Sequence, residues 1–253
     1  MLILLPPSEG KSPARTGHPF EWEELLFPEL NPARRAVLSG LQRVSAASDA
    51  HAILGVGASL ARDVQQNLLL DAAPAAAAHG IYSGVLYEAL DYAGMTPVQK
   101  RRAREQCVVF SGLWGAIGFG DRIPAYRLSM AVDLPGTGRL ATYWKQHLTA
   151  PLTRLAGHGL VVDCRSSTYA AAWAPPPQQS AAVNVFQLRE GRRTVVSHFA
   201  KHTRGELARH LLTRRGTPPA DPEALLRAAQ EKWTAELVPA GARKPAQLNL
   251  LLD

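Results

Sequence analysis

The sequence predicts an α/β protein, a mixed sheet flanked by helices, with a helix-hairpin-helix element embedded in it. Three observations carry that prediction. Short apolar runs of strand length, Leu2 to Leu5, Cys107 to Gly112 and Leu160 to Cys164, are rich in β-branched or aliphatic residues and stop at turn formers. Between them lie segments of helical period, such as Pro32 to Val44 with apolar Ala33, Val37, Leu41 and Val44. A glycine pair, Gly55 and Gly57, separates two such segments. A length of 253 residues suits one domain over 1–253, with residues 33–70 as an embedded helical module.

Each element follows from local chemistry. Leu2 to Leu5 reads as a buried strand halted by Pro6-Pro7, then a loop carrying Phe20, Trp22 and Phe27. Ala58 to Leu70 reads as one helix after the glycines. Pro97 to Glu105 is a helix with Thr96 as its N-cap and proline in its first turn. Arg139 to Leu155 is helical, interrupted or kinked at Pro151. Val183 to Leu188 and Thr194 to Phe199 read as a hairpin around Glu190-Gly191. Helices over Lys201 to Thr213 and Pro222 to Glu236 are expected to close the fold.

Composition narrows the function. No apolar run reaches the roughly 18 residues that cross a bilayer, and Met1 to Leu5 lacks the basic flank and small-residue site of a signal peptide, so no membrane association and a cytoplasmic location are expected. Cys107 and Cys164 sit beside valines and read as buried free thiols. No metal and no cofactor are expected; the close histidines His198 and His202 straddle a predicted strand-to-helix break. The 28 Lys and Arg against 21 Asp and Glu leave a net charge of +7. Between Arg189 and Arg215 eight basic residues face two acidic ones, and Lys100, Arg101, Arg102 and Arg104 form a second cluster. Such patches attract polyanions, although a charge run is also what an ordinary solvated face looks like.

Three motifs carry chemistry. In Leu54-Gly55-Val56-Gly57-Ala58-Ser59-Leu60-Ala61-Arg62, two glycines permit a tight turn whose amides face outward at a helix start, where phosphate is favoured. Ala61 reads as the small residue that lets two helices pack, and Arg62 adds charge. The loop Ser8-Glu9-Gly10-Lys11-Ser12 follows the first strand and resembles a phosphate-binding loop without the glycine that motif requires at position 5, which is Leu5. The Ser8-x-x-Lys11 spacing also matches an acylating pair, but Gly10 and Pro13 oppose the helix that pair needs. The third motif runs from Ser111-Gly112-Leu113-Trp114-Gly115 to Arg122, Tyr126 and Arg127, groups suited to planar or anionic ligands.

Taken in order, Ser8 to Ser12, Gly80-Ile81-Tyr82-Ser83-Gly84-Val85, Ser111 to Gly115, Pro124-Ala125-Tyr126-Arg127-Leu128-Ser129-Met130, Tyr143-Trp144, Phe199-Ala200-Lys201 and Arg204-Gly205 resemble the bacterial YaaA peroxide-stress family. The resemblance runs from Met1 to about Leu212. It implies a family-specific α/β fold, a basic cleft, a helix-hairpin-helix element, duplex DNA binding and a role in withstanding hydrogen peroxide. Departures are Asp163 in place of the family's amide, Thr168 in place of an acidic residue, and Phe199 in place of tyrosine, while Ser166 and Tyr169 are kept.

Two functions are compatible with these residues. One is duplex DNA binding through phosphate contacts, largely without sequence specificity, by Gly55, Gly57, Arg62, Ser8, Lys11, Ser111, Arg122, Tyr126, Arg127, Ser166, Tyr169, Lys201 and Arg204. The other is an enzyme acting on a small phosphorylated or nucleotide-like substrate, with Lys11, Asp163, Ser166 and Lys201 as catalytic candidates. Lys11, Arg127 and Lys201 are expected to share one anionic site beside Ser8 and Ser166. No obligate protein partner is legible.

Overall fold

The protein is described by a computed structural model over residues 1–189, 192–195 and 197–252. Its organising strand is β1 (Leu2–Leu5), whose four side chains are all buried. The chain then crosses a long loop to α1 (Asn31–Ser45), two short helices, α2 (Ala50–Leu54) and α3 (Ala61–Gln66), and the small elements β2 (Ala76–Ala77), α4 (Ala78–Ile81) and α5 (Val85–Leu90). After α6 (Pro97–Gln106) come β3 (Cys107–Ser111), β4 (Gly115–Gly118), β5 (Arg122–Ile123), β6 (Asp133–Leu134) and β7 (Gly138–Arg139). The second half runs α7 (Leu140–Ala156), β8 (Val161–Asp163), α8 (Ser167–Ala170), β9 (Ser180–Arg189), β10 (Arg192–Val195), α9 (Ser197–Thr213), α10 (Pro222–Gln230), β11 (Thr234–Val238) and β12 (Ala246–Leu252).

Eight strands form one mixed sheet in the order β11-β12-β9-β8-β1-β3-β4, with β10 on the far half of β9. The pairs β12–β9, β9–β8, β8–β1 and β1–β3 are parallel; β11–β12, β9–β10 and β3–β4 are antiparallel. Parallel strands buried on both faces read as continuous apolar runs rather than alternating ones, which is what Leu2–Leu5 and Cys107–Phe110 do. The register places Ile3 beside Cys107 on one side and Val162 on the other. From β1 the chain leaves toward β3; from its neighbour β8 it leaves toward β9, on the opposite side. A crevice outside the carboxyl ends of two such strands is where open α/β sheets bind ligands.

Local signals hold where the chemistry is short-range. Thr96 caps α6 through a capping box with Gln99. Gly205 allows α9 to cross α5, because a Cβ there would run into the Leu86 carbonyl oxygen. Arg34, fully buried on α1, donates to the carbonyls of Trp114, Ala116, Leu26 and Phe27 and to Asn31 Oδ1, tying α1 to the loops below it.

Several expectations need correcting. The helix from Pro222 ends at Gln230, and Thr234–Val238 is a strand. The fold closes on the β11–β12 pair, because Leu248, Leu250 and Leu251 complete the sheet core beside β9. The helix expected over Ala58–Leu70 is a 3-10 turn at Ala58–Leu60, then α3, then a second 3-10 turn at Asn67–Leu69. Ala61 is exposed rather than packed between helices. Helix α7 is not interrupted at Pro151. Strand β10 stops at Val195, and Phe199 belongs to α9. His198 and His202 therefore share one helix, with no break between them; the side chain of His198 lies outside the described residues, as does the Glu190-Gly191 turn. No helix among the described residues is long and apolar enough to cross a membrane.

The doubly paired β1 yields a direct expectation. Leu4→Ala removes a fully buried side chain from the sheet centre and should cost about 3 kcal/mol, through lost burial and a residual cavity. The denaturant midpoint should fall with an unchanged slope; a shift within error would show that β1 is not central to the core.

Candidate functional site

Two cavities open at the strand ends. The larger, about 460 Å³, lies outside the carboxyl ends of β1 and β8. Its walls come from the loop after β1 (Pro6 to Gly10), from Ser83 to Tyr87 at the start of α5, from Cys164, Ser166 and Tyr169 after β8, and from Lys201 and Arg204 on α9. The smaller, about 270 Å³, is lined by Lys11, Arg62, Asp63, Tyr126 and Arg127 among others. Glu9 borders both. Lys11 and Lys201 therefore line separate, adjoining cavities, and Arg127 goes with Lys11.

The β1 loop is held by its own hydrogen bonds. Ser8 Oγ donates to the Gly10 carbonyl and accepts from the Ser83 amide at 3.0 Å, which joins the loop to the start of α5. Lys11 bridges to Tyr82 in antiparallel fashion. Its Nζ donates to the Ser8 carbonyl at 2.9 Å and sits 4.3 Å from the centre of the Tyr126 ring. Burial lowers the Lys11 pKa to about 7; Arg127 pushes it the same way, against the pull of Glu9 and Asp63. Serine 111, at the end of β3, accepts from the Leu113 and Trp114 amides at 3.2 and 2.9 Å. Both its lone pairs are then used, so its proton goes to the Tyr126 oxygen at 2.6 Å. Tyr126 in turn lies 3.0 Å from the Tyr82 hydroxyl. Burial raises the pKa of both tyrosines well above the ordinary value.

Arg127 is nine-tenths buried and pairs with Asp63 at 2.9 Å and Glu9 at 3.3 Å. Its backbone is fixed by fully buried Asn67, whose side-chain amide accepts from the Arg127 N–H at 2.9 Å and donates to its carbonyl at 3.0 Å. Asp163 is occupied by Arg165, with bonds of 2.8 Å from Nε and 2.6 Å from the terminal nitrogen. Arg165 also donates to the Tyr169 and Trp173 carbonyls and stacks on Phe110. Asp163 thus orients the loop that carries Ser166 and does not line either cavity. Ser166 is exposed at the start of α8 with no side-chain cap bond. The Arg204 Nε and a terminal nitrogen are both held on the Val183 carbonyl. Arg122 is bound to the Ala75 carbonyl and lines neither cavity. Gly55 is left-handed at φ 63 after α2, and Gly57 precedes the 3-10 turn; both are exposed.

Asp63, Asn67 and Arg165 were not singled out in the sequence, and Glu9 and Ser83 only as members of longer motifs. Glu9 and Asp63 carried a signal, since each adjoins a chosen residue, Ser8 or Arg62. Asn67 and Arg165 carried none, because their partners lie in distant elements or depend on tertiary burial. Among the described residues, no three His, Cys, Asp or Glu side chains come together as a metal site.

The fold defines a mixed α/β protein with a crevice at its strand switch. The chain matches the family model described as peroxide stress protein YaaA over residues 1–236. It is 43% identical to a UPF0246 protein of Streptomyces coelicolor over all of this chain and 98% of that one. It is 40% identical to a UPF0246 protein of Corynebacterium efficiens over 84% of this chain and 85% of that one. An uncharacterized protein of Campylobacter jejuni is 25% identical over 82% of each. The chain belongs to the YaaA peroxide-stress family.

Two measurements follow from these environments. The unfolded chain keeps its Lys11 proton up to the ordinary value of 10.5, the folded chain only up to about 7. Unfolding between those values takes up a proton, so stability should rise as pH climbs from about 7 toward 10.5. Denaturation at pH 7 and pH 9 should show that rise in the native protein and a smaller one in Lys11→Met; equal rises would assign the effect to other groups. Cys107 and Cys164 are free and buried, and burial raises both thiols, Cys164 to about 12. Both should label slowly with a thiol reagent until the protein unfolds. Fast native labelling would contradict this.

Proposed function

We propose that this peroxide-stress protein binds a small phosphate-bearing, nucleotide-like ligand in the larger cavity and acts on it there. The observation that carries the reading is the cavity's position, outside the carboxyl ends of β1 and β8, where the connections diverge. Its chemistry suits such a ligand. Lys201 and Arg204 supply positive charge, Ser8 and Ser166 supply hydroxyls, and Pro6, Pro7, Val85, Leu86 and Tyr87 form an apolar wall for a ring. Ser166 and Lys201 are then the groups nearest the reacting atoms, while Asp163 acts through Arg165 as a positioning residue. Lys201 is exposed, so Lys201→Met should leave stability unchanged and weaken binding of ADP about tenfold, as loss of one charge-assisted contact does. Calorimetry reads this; undiminished binding by the variant removes the cavity reading.

A second reading, duplex DNA held by backbone phosphates along a basic cleft, is favoured by the Gly55–Arg62 segment. Gly55 and Gly57 are exposed, a Cβ added at Gly55 meets nothing within 4 Å, and Arg62 is exposed next to them. The Gly55 and Val56 amides donate to the Ala52 and His51 carbonyls. On this reading the Gly57 to Ser59 amides ahead of α3 face the phosphate, with α2 and α3 as short flanks of a helix-hairpin-helix element. Gly57→Val should then weaken duplex binding without unfolding the protein, and affinity should fall steeply with salt. A flat salt response or unchanged binding by the variant removes this reading.

A further inference from the structure

We propose that Lys11 is a carbonyl-trapping amine, and that the smaller cavity takes a small oxo acid whose carbonyl condenses with the Lys11 Nζ while its carboxylate meets Arg62 and Arg127. The inference concerns the cavity beside the one assigned above and stands independently of that assignment.

The geometry of the amine is its basis. A lysine that serves as a fixed positive charge ordinarily has a carboxylate partner or open water. The two acids bordering this cavity, Glu9 and Asp63, are instead bound to Arg127 at 3.3 and 2.9 Å. The Lys11 Nζ has the Ser8 carbonyl at 2.9 Å, the face of Tyr126 at 4.3 Å and that of Tyr82 at 5.7 Å. Charged and titratable groups surround it from every side of the cavity: Glu9 from the β1 loop, Arg62 and Asp63 from α3, Tyr126 and Arg127 from the loop after β5, and Tyr82 after α4. Desolvation by that setting dominates, and with Arg127 it holds the amine near pKa 7, where the neutral, nucleophilic form is abundant at physiological pH.

The anion requirement has its own observation. Arg127 Nε is buried and has no hydrogen-bond partner, although the two terminal nitrogens are paired. A buried guanidinium N–H left unpaired is costly. A carboxylate beside Arg127 in the cavity supplies an acceptor once a small shift of the side chain brings that N–H to the wall. Arg62, exposed on the same rim, adds a second cation.

The condensation is balanced within the site. The Nζ lone pair bonds to the carbonyl carbon as the carbonyl oxygen takes up a proton. Nζ loses one proton to give the carbinolamine. The carbinolamine hydroxyl leaves as water with a second proton as the nitrogen lone pair closes the C=N bond. Loss of the remaining Nζ proton gives the neutral imine, so the two protons gained by oxygen match the two lost from nitrogen. No oxidant or reductant is consumed. Glu9 and Asp63, lining the same cavity, are the carboxylates available to move these protons.

The experiment is reductive trapping on the full chain. The protein is incubated with glyoxylate and cyanoborohydride at neutral pH, and carboxymethyl adducts are mapped by peptide mass spectrometry. Lys11 should be modified about tenfold or more faster than Lys100, Lys145, Lys201, Lys232 and Lys244, none of which lines the smaller cavity. Arg62→Ala should slow trapping of glyoxylate about tenfold and leave trapping of acetaldehyde, which has no anionic group, unchanged. Equal modification of all six lysines, or no adduct on Lys11, overturns the proposal. Equal slowing of both aldehydes by Arg62→Ala overturns the carboxylate subsite.

Discussion

Strand β1 is hydrogen-bonded on both edges and buried on both faces, and the rest of the molecule depends on that placement. A strand paired with both β3 and β8 cannot slip by one residue without breaking two ladders. It also forces the chain to leave in one direction from β1 and in the other from β8. The divergence opens a crevice, and the loops that bound it, Pro6 to Gly10 and Cys164 to Ser166, start within a residue of buried sheet. The crevice is therefore walled by loops anchored on buried, doubly paired sheet, which is the support a preorganised site requires.

Around that crevice, cations are handled in contrasting ways. Arg34 and Arg165 are buried and surrounded by carbonyls or a carboxylate, so their charges organise loops. Arg127 is clamped by Asp63 and Glu9 yet keeps one N–H without a partner. Lys11 is half-buried with no carboxylate paired to it, and desolvation lowers its proton affinity. Lys201 is exposed at the mouth of the larger cavity. The net charge of +7 is thus a poor guide to the site, because acids stand beside the cations that matter.

The parts of the fold legible in the sequence were those fixed by short-range chemistry. The apolar runs at Leu2 and Cys107 and the Thr96-Pro97 helix start need only their neighbours to be understood. Strand β12 was missed although Ala246-Gln247-Leu248-Asn249-Leu250 alternates apolar and polar residues at strand period. The Ala58–Leu70 segment has helical spacing, but its packing against the rest of the chain divides it into three short pieces. For the site, the motif residues Ser8, Lys11, Tyr126, Arg127, Ser166, Tyr169, Lys201 and Arg204 do line cavities. Their division into two cavities was not legible, because Glu9 and the ion pairs of Arg127 form only when residues 9, 63 and 127 meet in space.

On the proposed function, a phosphate-bearing ligand docks in the switch crevice. Hydrogen exchange, followed segment by segment with and without saturating ADP, tests it most directly. Exchange should slow in both loops, Ser8 to Lys11 and Arg165 to Tyr169, with the Gly55 to Arg62 turn unchanged. Slowed exchange confined to Gly55 to Arg62, or none in either loop, would contradict it.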